Sequence, residues 1–315
     1  MTLRIPVTVV GGYLGAGKTT LVNHLLRTAG GLRIAILVND FGALPIDADL
    51  IEAQDEDLIS IAGGCICCSF GSDLMDALVK ISKRVPAPDH VVIETSGVAL
   101  PGSVARSVAL IAAYSIAGVV VLADGETVVA RAADRYMGDT ITRQLAEADL
   151  VILNKADLVA SAQLEGLRHW IAKSAPQARL IEAARGEVPV NVMLGVGYSQ
   201  AAMKSTGLLV SGVLKPVEDA STHYESASFA VPRAVDTAQL AQALANPDCG
   251  LIRAKGVLRD IDGTLKALQV VGARFEVTTF AGQADPGIVC IGLRGNMNRA
   301  AIERAAGWTN TAKSD

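Results

Sequence analysis

Gly12-Tyr13-Leu14-Gly15-Ala16-Gly17-Lys18-Thr19 follows the β-branched run Ile5–Val10 and precedes a helical pattern over Thr20–Arg27. Glycines at this spacing let backbone N–H groups converge on phosphate oxygens, and the next helix adds the positive end of its dipole. Lys18 is placed to reach β- and γ-phosphates, and the Thr19 hydroxyl to ligate Mg2+. Gly12, Gly15, Ala16, Gly17, Lys18, Thr19 and Thr20 are therefore expected to line a nucleoside triphosphate pocket. The bland alternative, a tight turn in an unrelated α/β domain, needs the whole G-x4-G-K-T spacing and its strand–loop–helix setting to coincide by chance.

Three further motifs sit after apolar runs. Asn154-Lys155-Ala156-Asp157 follows Leu150–Leu153. The Asp157 carboxylate can accept from guanine N1–H and its exocyclic amine, a donor pair that adenine lacks. N-K-x-D alone is weak, and a helix N-cap is the other reading of Asp157. Ala184-Arg185-Gly186 lies where a further base-contacting loop would fall. Glu94-Thr95-Ser96-Gly97 follows His90–Ile93. There Glu94 can orient water on Mg2+ or position an attacking water, and Gly97 lets the backbone approach a γ-phosphate. An exposed Glu capping the Pro101 turn is the structural alternative. Asn39-Asp40-Phe41-Gly42 follows the second strand. It makes Asp40 a Mg2+ partner in a segment that senses the γ-phosphate, or an Asn-Asp turn residue.

Cys65-Ile66-Cys67-Cys68 places three thiols within four residues, after Gly63-Gly64 and before a helix. Thiolates favour soft or borderline ions, Zn2+ or Cu+. Three protein ligands leave a fourth position open, which suits transfer of a metal rather than its permanent retention. Buried structural cysteines or a redox pair are the alternatives. Cys249 and Cys290 read as core residues. The histidines 24, 90, 169 and 223 are scattered and make poor evidence for a metal site.

The elements that must position these groups alternate. Strands are expected at Ile5–Val10, Arg33–Val38, His90–Ile93, Gly118–Ala123, Leu150–Leu153 and Arg179–Glu182. Helices are expected at Thr19–Arg27, Gly71–Lys83, Gly102–Ile111, Val128–Met137, Ile141–Ala148 and Ala160–Ser174. Strands apolar along their whole length suit a mostly parallel, doubly wound sheet covered on both faces, which binds ligands at its carboxyl edge. After a polar, Gly- and Pro-containing stretch the pattern becomes α+β. Strands fall at Ser226–Val231, Leu251–Leu258, Thr264–Val271, Phe275–Phe280 and Ile288–Leu293, with helices at Thr237–Ala245 and Asn298–Ala306 on one face. The expected fold class is therefore α/β: a phosphate-loop NTPase domain (1–208), a linker (209–225) and a small C-terminal α+β domain (226–315).

A net charge of −4 gives no electrostatic footprint for nucleic acid. The most apolar stretch, Val108–Ala123, is too short for a membrane span and ends as a strand. No secretory leader pattern opens the chain, and five cysteines, an odd number, do not suggest a disulfide framework. A cytoplasmic protein acting on neither membrane nor nucleic acid is expected.

Taken in order, Gly11–Thr20, Asn39–Gly42, Gly63–Ser69, Glu94–Gly97 and Asn154–Asp157 resemble the motifs of the CobW-type GTPase metallochaperones, SIMIBI-class phosphate-loop proteins. Arg253-Ala254-Lys255-Gly256 is similar to the R-x-K-G element of that family's C-terminal domain. The resemblance implies slow GTP hydrolysis coupled to metal binding and delivery to a client metalloprotein. It makes Lys18, Asp40 and Glu94 catalytic or nucleotide-sensing groups, with Thr19, Asp40 and Glu94 around Mg2+. It makes Cys65, Cys67 and Cys68 the ligands of a transition metal. Zn2+ fits three thiolates best, with Co2+ and Fe2+ open. GTP contacts fall to the loop residues, Gly97, Asn154, Lys155 and Asp157, and pairing of two copies through the nucleotide face is implied. A zinc sensor or reservoir with vestigial GTPase activity is the alternative. Two departures stand out. The family's N-E-F-G is here N-D-F-G, its acid one methylene shorter. The His-rich stretch of many members is absent, which removes support for nickel.

Overall fold

The computed structural model describes residues 4–39, 58–61, 73–195 and 223–306. Asp40, Cys65, Cys67, Cys68 and all but the last three residues of the expected linker lie outside them. The chain divides into two compact units, Met1–Leu194 and Gly195–Asp315.

The first unit is built on seven strands: β1 (Ile5–Gly11), β2 (Ile34–Asn39), β3 (Leu58–Ile61), β4 (His90–Glu94), β5 (Tyr114–Asp124), β6 (Leu150–Asn154) and β7 (Arg179–Glu182). Their order across the sheet is β3-β2-β4-β1-β5-β6-β7, and every pairing is parallel. The helices are α1 (Lys18–Arg27), α2 (Asp73–Ser82), α3 (Pro101–Ala109), α4 (Val128–Ala132), α5 (Gly138–Ala146), α6 (Ser161–Ser174) and α7 (Val190–Leu194). Strands β4 and β6 are buried at every residue, and β1 and β5 at all but one. Helices must therefore shield both faces, and side chains such as Val9, Ile93, Leu122 and Ile152 are fully buried. Each such side chain contributes about 1.5–3 kcal/mol relative to an exposed one.

Several elements differ from expectation: α7 was not foreseen, and β5 begins at Tyr114 rather than Gly118. The helix predicted over Val128–Met137 stops at Ala132. Asp134 Oδ1 accepts from the Tyr136 and Met137 N–H groups, at 2.8 and 2.9 Å, and this local turn outcompetes helical pairing. A new helix, α5, then starts at Gly138. Strand β3 was not foreseen: with four residues beside β2 it is too short to show a period.

The second unit is a five-stranded antiparallel sheet of β8 (Tyr224–Ala230), β9 (Leu251–Arg259), β10 (Leu265–Val271), β11 (Arg274–Thr279) and β12 (Gly287–Leu293), ordered β11-β10-β9-β12-β8. Strand β8 takes up Tyr224 and Glu225 from the end of the stretch expected to be linker. Helices α8 (Thr237–Leu244) and α9 (Arg299–Ala305) bring Leu240, Leu244 and Ile302 into one core with Leu258, Leu268, Val270, Ile288 and Cys290. Both helices start on side-chain caps. Asp236 accepts from Gln239 N at 2.9 Å and Asn298 from Ala301 N at 3.0 Å. Cys249 and Cys290 are buried and not joined by a disulfide; Cys249 Sγ donates to the Ala243 carbonyl at 3.4 Å, and burial pushes the Cys290 thiol up to about 12. Both lie in the core of the second unit.

Candidate nucleotide site

In the first unit every described motif residue sits at the carboxyl edge of the parallel sheet, where β1, β4, β5 and β6 end side by side, whereas Arg253-Ala254-Lys255-Gly256 lies within β9 of the second. The loop after β1 closes on Gly17, which caps α1 with φ 100°. A β-carbon there would fall 2.3 Å from Asn154 Nδ2, so both the left-handed backbone and the close approach require glycine. No side chain caps α1, and its first turn carries no acid. Such a helix end favours an anion. Lys18 is buried and folds back over the loop, its Nζ donating to the Tyr13 carbonyl at 3.3 Å.

Thr19 Oγ1 donates to Glu94 Oε1 at 3.2 Å, across 75 residues of sequence. Parallel pairing of Val10 with Glu94 creates this meeting. Glu94 is buried, which rules out the exposed cap considered for it; Leu100 occupies the N-cap of α3, without a side-chain bond. Beyond Glu94 the chain packs onto the phosphate loop: a β-carbon on Gly97 would lie 2.8 Å from Leu14 N. The side-chain side of Gly97 thus abuts the loop backbone, which only a glycine allows. Next to it Thr95 Oγ1 and Ser96 Oγ are buried with no hydrogen-bond partner among the described residues. From the other side Gln144 on α5 donates Nε2 to the carbonyls of Gly97, at 3.1 Å, and Ala99, at 2.8 Å. Glu147, just past that helix, accepts from Gly102 N at 3.0 Å.

On the opposite flank Asn154 is a staple. Its Nδ2 donates to the Ala16 carbonyl at 2.9 Å, and its Oδ1 accepts from Gly186 N at 2.9 Å. It thereby ties the phosphate loop to the Ala184–Gly186 loop, where sequence reasoning placed only base contacts. Lys155 has a left-handed φ of 58° and pairs with Asp124 Oδ2 at 2.6 Å. Asp157 is exposed on a single 3-10 turn, Ala156–Leu158, and does not cap α6, whose N-cap is Ala160.

Three participants escaped the sequence reading. Tyr13 is buried within the loop; its hydroxyl accepts from Asp124 N at 3.1 Å and lies 3.0 Å from Thr127 Oγ1. Burial holds that phenol above its usual range, so it stays protonated. Asp124 ends β5. Its signal was a lone acid closing the run Val119–Ala123. Gln144 gave no signal, because one amide on a helix is ordinary.

The donor set suits a hard cation. Thr19 and Glu94 offer oxygen ligands beside the phosphate loop, as Mg2+ prefers. Among the described residues no three His, Cys, Asp or Glu side chains gather as a metal site, and no helix is long and apolar enough to cross a membrane.

Residues 6–182 match the family model described as "CobW/HypB/UreG, nucleotide-binding domain", and residues 224–306 match "Cobalamin synthesis protein cobW C-terminal domain". The chain is 32% identical over 294 residues to a Sinorhizobium protein named Zinc chaperone CobW, with 82% of this chain and 79% of that one covered. A Pseudomonas aeruginosa protein of the same name is 36% identical over 226 residues, covering 61% and 60%. The Zinc-regulated GTPase metalloprotein activator 1 of Schizosaccharomyces pombe is 33% identical over 194 residues, covering 58% of this chain and 47% of that one.

Proposed function

This chain belongs to the CobW/HypB/UreG family of nucleotide-binding proteins, and on that premise we propose that it is a GTPase that carries zinc to a client metalloprotein. The observation that supports this most is the convergence on one loop of the Thr19–Glu94 hydrogen bond and the Asn154–Ala16 staple. One side belongs to hydrolysis and the other to base selection. Relatives named as zinc chaperones and as a zinc-regulated GTPase support the cargo and the reaction.

In this reading the loop amides from Gly12 to Thr20 cradle the phosphates, and Lys18 moves from the Tyr13 carbonyl to the β- and γ-oxygens. Thr19, Glu94 and Asp40 are the groups that would hold Mg2+, which when bound neutralises charge developing on the phosphate oxygens. Glu94 orients the attacking water. The segment at Gly97 meets the γ-phosphate through its backbone, and Asp157 reads guanine.

Cys65, Cys67 and Cys68 supply the thiolates for zinc. The cysteine loop falls in sequence between the Asp40 segment and β4, the two stretches that respond to the γ-phosphate. GTP orders them and completes the thiolate site; loss of the γ-phosphate loosens them and lets the metal leave.

Linkage supplies the test. If GTP tightens zinc binding, zinc must tighten GTP binding by the same factor. Zinc titrations with and without a non-hydrolysable GTP analogue should give different affinities, matched by the reverse titration. Equal affinities, with GTP turnover indifferent to zinc, would leave a zinc reservoir with a vestigial GTPase.

A further inference from the structure

We propose that Gln144 is a positioning residue for GTP hydrolysis, holding the Thr95–Ala99 segment against the phosphate loop; this rests on the GTPase reading above. Both acceptors it faces, the Gly97 and Ala99 carbonyls at 3.1 and 2.8 Å, are backbone oxygens, so the amide nitrogen must be the end that points there. One side chain thus fixes two peptide units of the segment that follows Glu94. Gln144 is only 1% exposed, and its Oε1 is buried without a hydrogen-bond partner among the described residues. A core with no further duty would fill this position with an apolar side chain, because an unmet buried acceptor is costly. The amide persists because the two carbonyls need a donor.

The same helix end grips the segment twice. Three residues on, Glu147 accepts from Gly102 N at the start of α3. The stretch from Gly97 to Gly102 is therefore anchored to α5 at both ends, while its Gly97 face abuts Leu14. Displacing Gly97 changes where the backbone meets a γ-phosphate. It leaves the α- and β-phosphate cradle, built from the loop and α1, where it is. Gln144 should accordingly influence turnover of GTP and leave GDP binding alone.

The test is single-turnover GTP hydrolysis and fluorescent-GDP binding by the full chain, wild type against Gln144→Leu and Gln144→Glu. The first removes the donor at similar volume, and the second sets a carboxylate against two carbonyls. Both variants should hydrolyse GTP about 10–100-fold more slowly, as a displacement near 1 Å does, with GDP affinity within about threefold. Should Gln144→Leu not fold by thermal melting, Gln144→Asn, an amide one methylene too short, replaces it. A folded variant within about twofold of the wild-type rate overturns the assignment, as does GDP affinity falling in parallel with rate. Wild-type chain that fails to hydrolyse GTP, with or without zinc, would overturn the parent reading and this assignment with it, whereas an unaffected variant of an active wild type overturns this assignment alone.

Discussion

Lys155 and Asp124 form an ion pair at 2.6 Å between the ends of neighbouring strands β6 and β5. Asp124 also accepts from Glu126 N at 2.9 Å, and its own N–H donates to the Tyr13 hydroxyl at 3.1 Å. The base-side motif and the phosphate loop are thereby joined through one strand end. Asp124 is nearly buried, so its charge depends on Lys155 for compensation.

Asp124→Asn keeps the acceptor for Glu126 N and deletes only the charge. The freed ammonium no longer has a fixed seat beside the base site. GTP affinity measured by calorimetry should fall about tenfold, equivalent to about 1.4 kcal/mol, the size of one lost charge-assisted hydrogen bond. Unchanged affinity would make the pair purely structural.

Asp157 is exposed and caps no helix, so its carboxylate is available to a ligand. Asp157→Ala should leave the melting temperature unaltered and reduce GTP-over-ATP preference by about 100-fold or more. Retained selectivity in competition binding would move base recognition elsewhere.

Glu94→Gln keeps an acceptor for the Thr19 hydroxyl but removes the negative charge. Single-turnover hydrolysis should slow by about 100-fold or more while GDP affinity holds. Parallel loss of both would assign Glu94 to folding alone.

Asp260 in the second unit gives a pH dependence. The Lys266 ammonium first, then the Thr237 N–H, hold its carboxyl down to about 2, from 3.8. A depressed folded-state value means the stabilisation is complete above the unfolded value and fades as pH falls from about 4 to about 2. Hydrogen-exchange protection across α8 and β9 of the full chain, corrected for the intrinsic rate at each pH, should fall in that window, and Asp260→Asn should abolish the step. A step of equal size in the variant would assign it to other carboxylates.

Cys67→Ala should weaken zinc binding by at least the roughly 10–100-fold that loss of a mere supporting group costs, with GTP affinity unaltered when zinc is absent. Zinc affinity equal to wild type would place the cargo site elsewhere.

The sequence by itself determined the ligand class and the sheet. The G-x4-G-K-T spacing tolerates few readings, and a run such as Val119–Ala123 must be covered on both faces because an uncovered apolar strand would lie in water. It also placed Lys18, Thr19, Glu94, Asn154 and Asp157 at strand ends, since motif residues after apolar runs have nowhere else to go. Tertiary structure alone decided what those residues touch. The register of β1 with β4 sets Thr19 against Glu94. Closure of β6 beside β5 turns Asn154 into a staple for the loop and gives Lys155 an acid partner. Helix α5 brings Gln144 to two carbonyls 45 and 47 residues away. Local propensity encodes a strand or a turn, whereas a contact across such separations exists only after the sheet has ordered its strands.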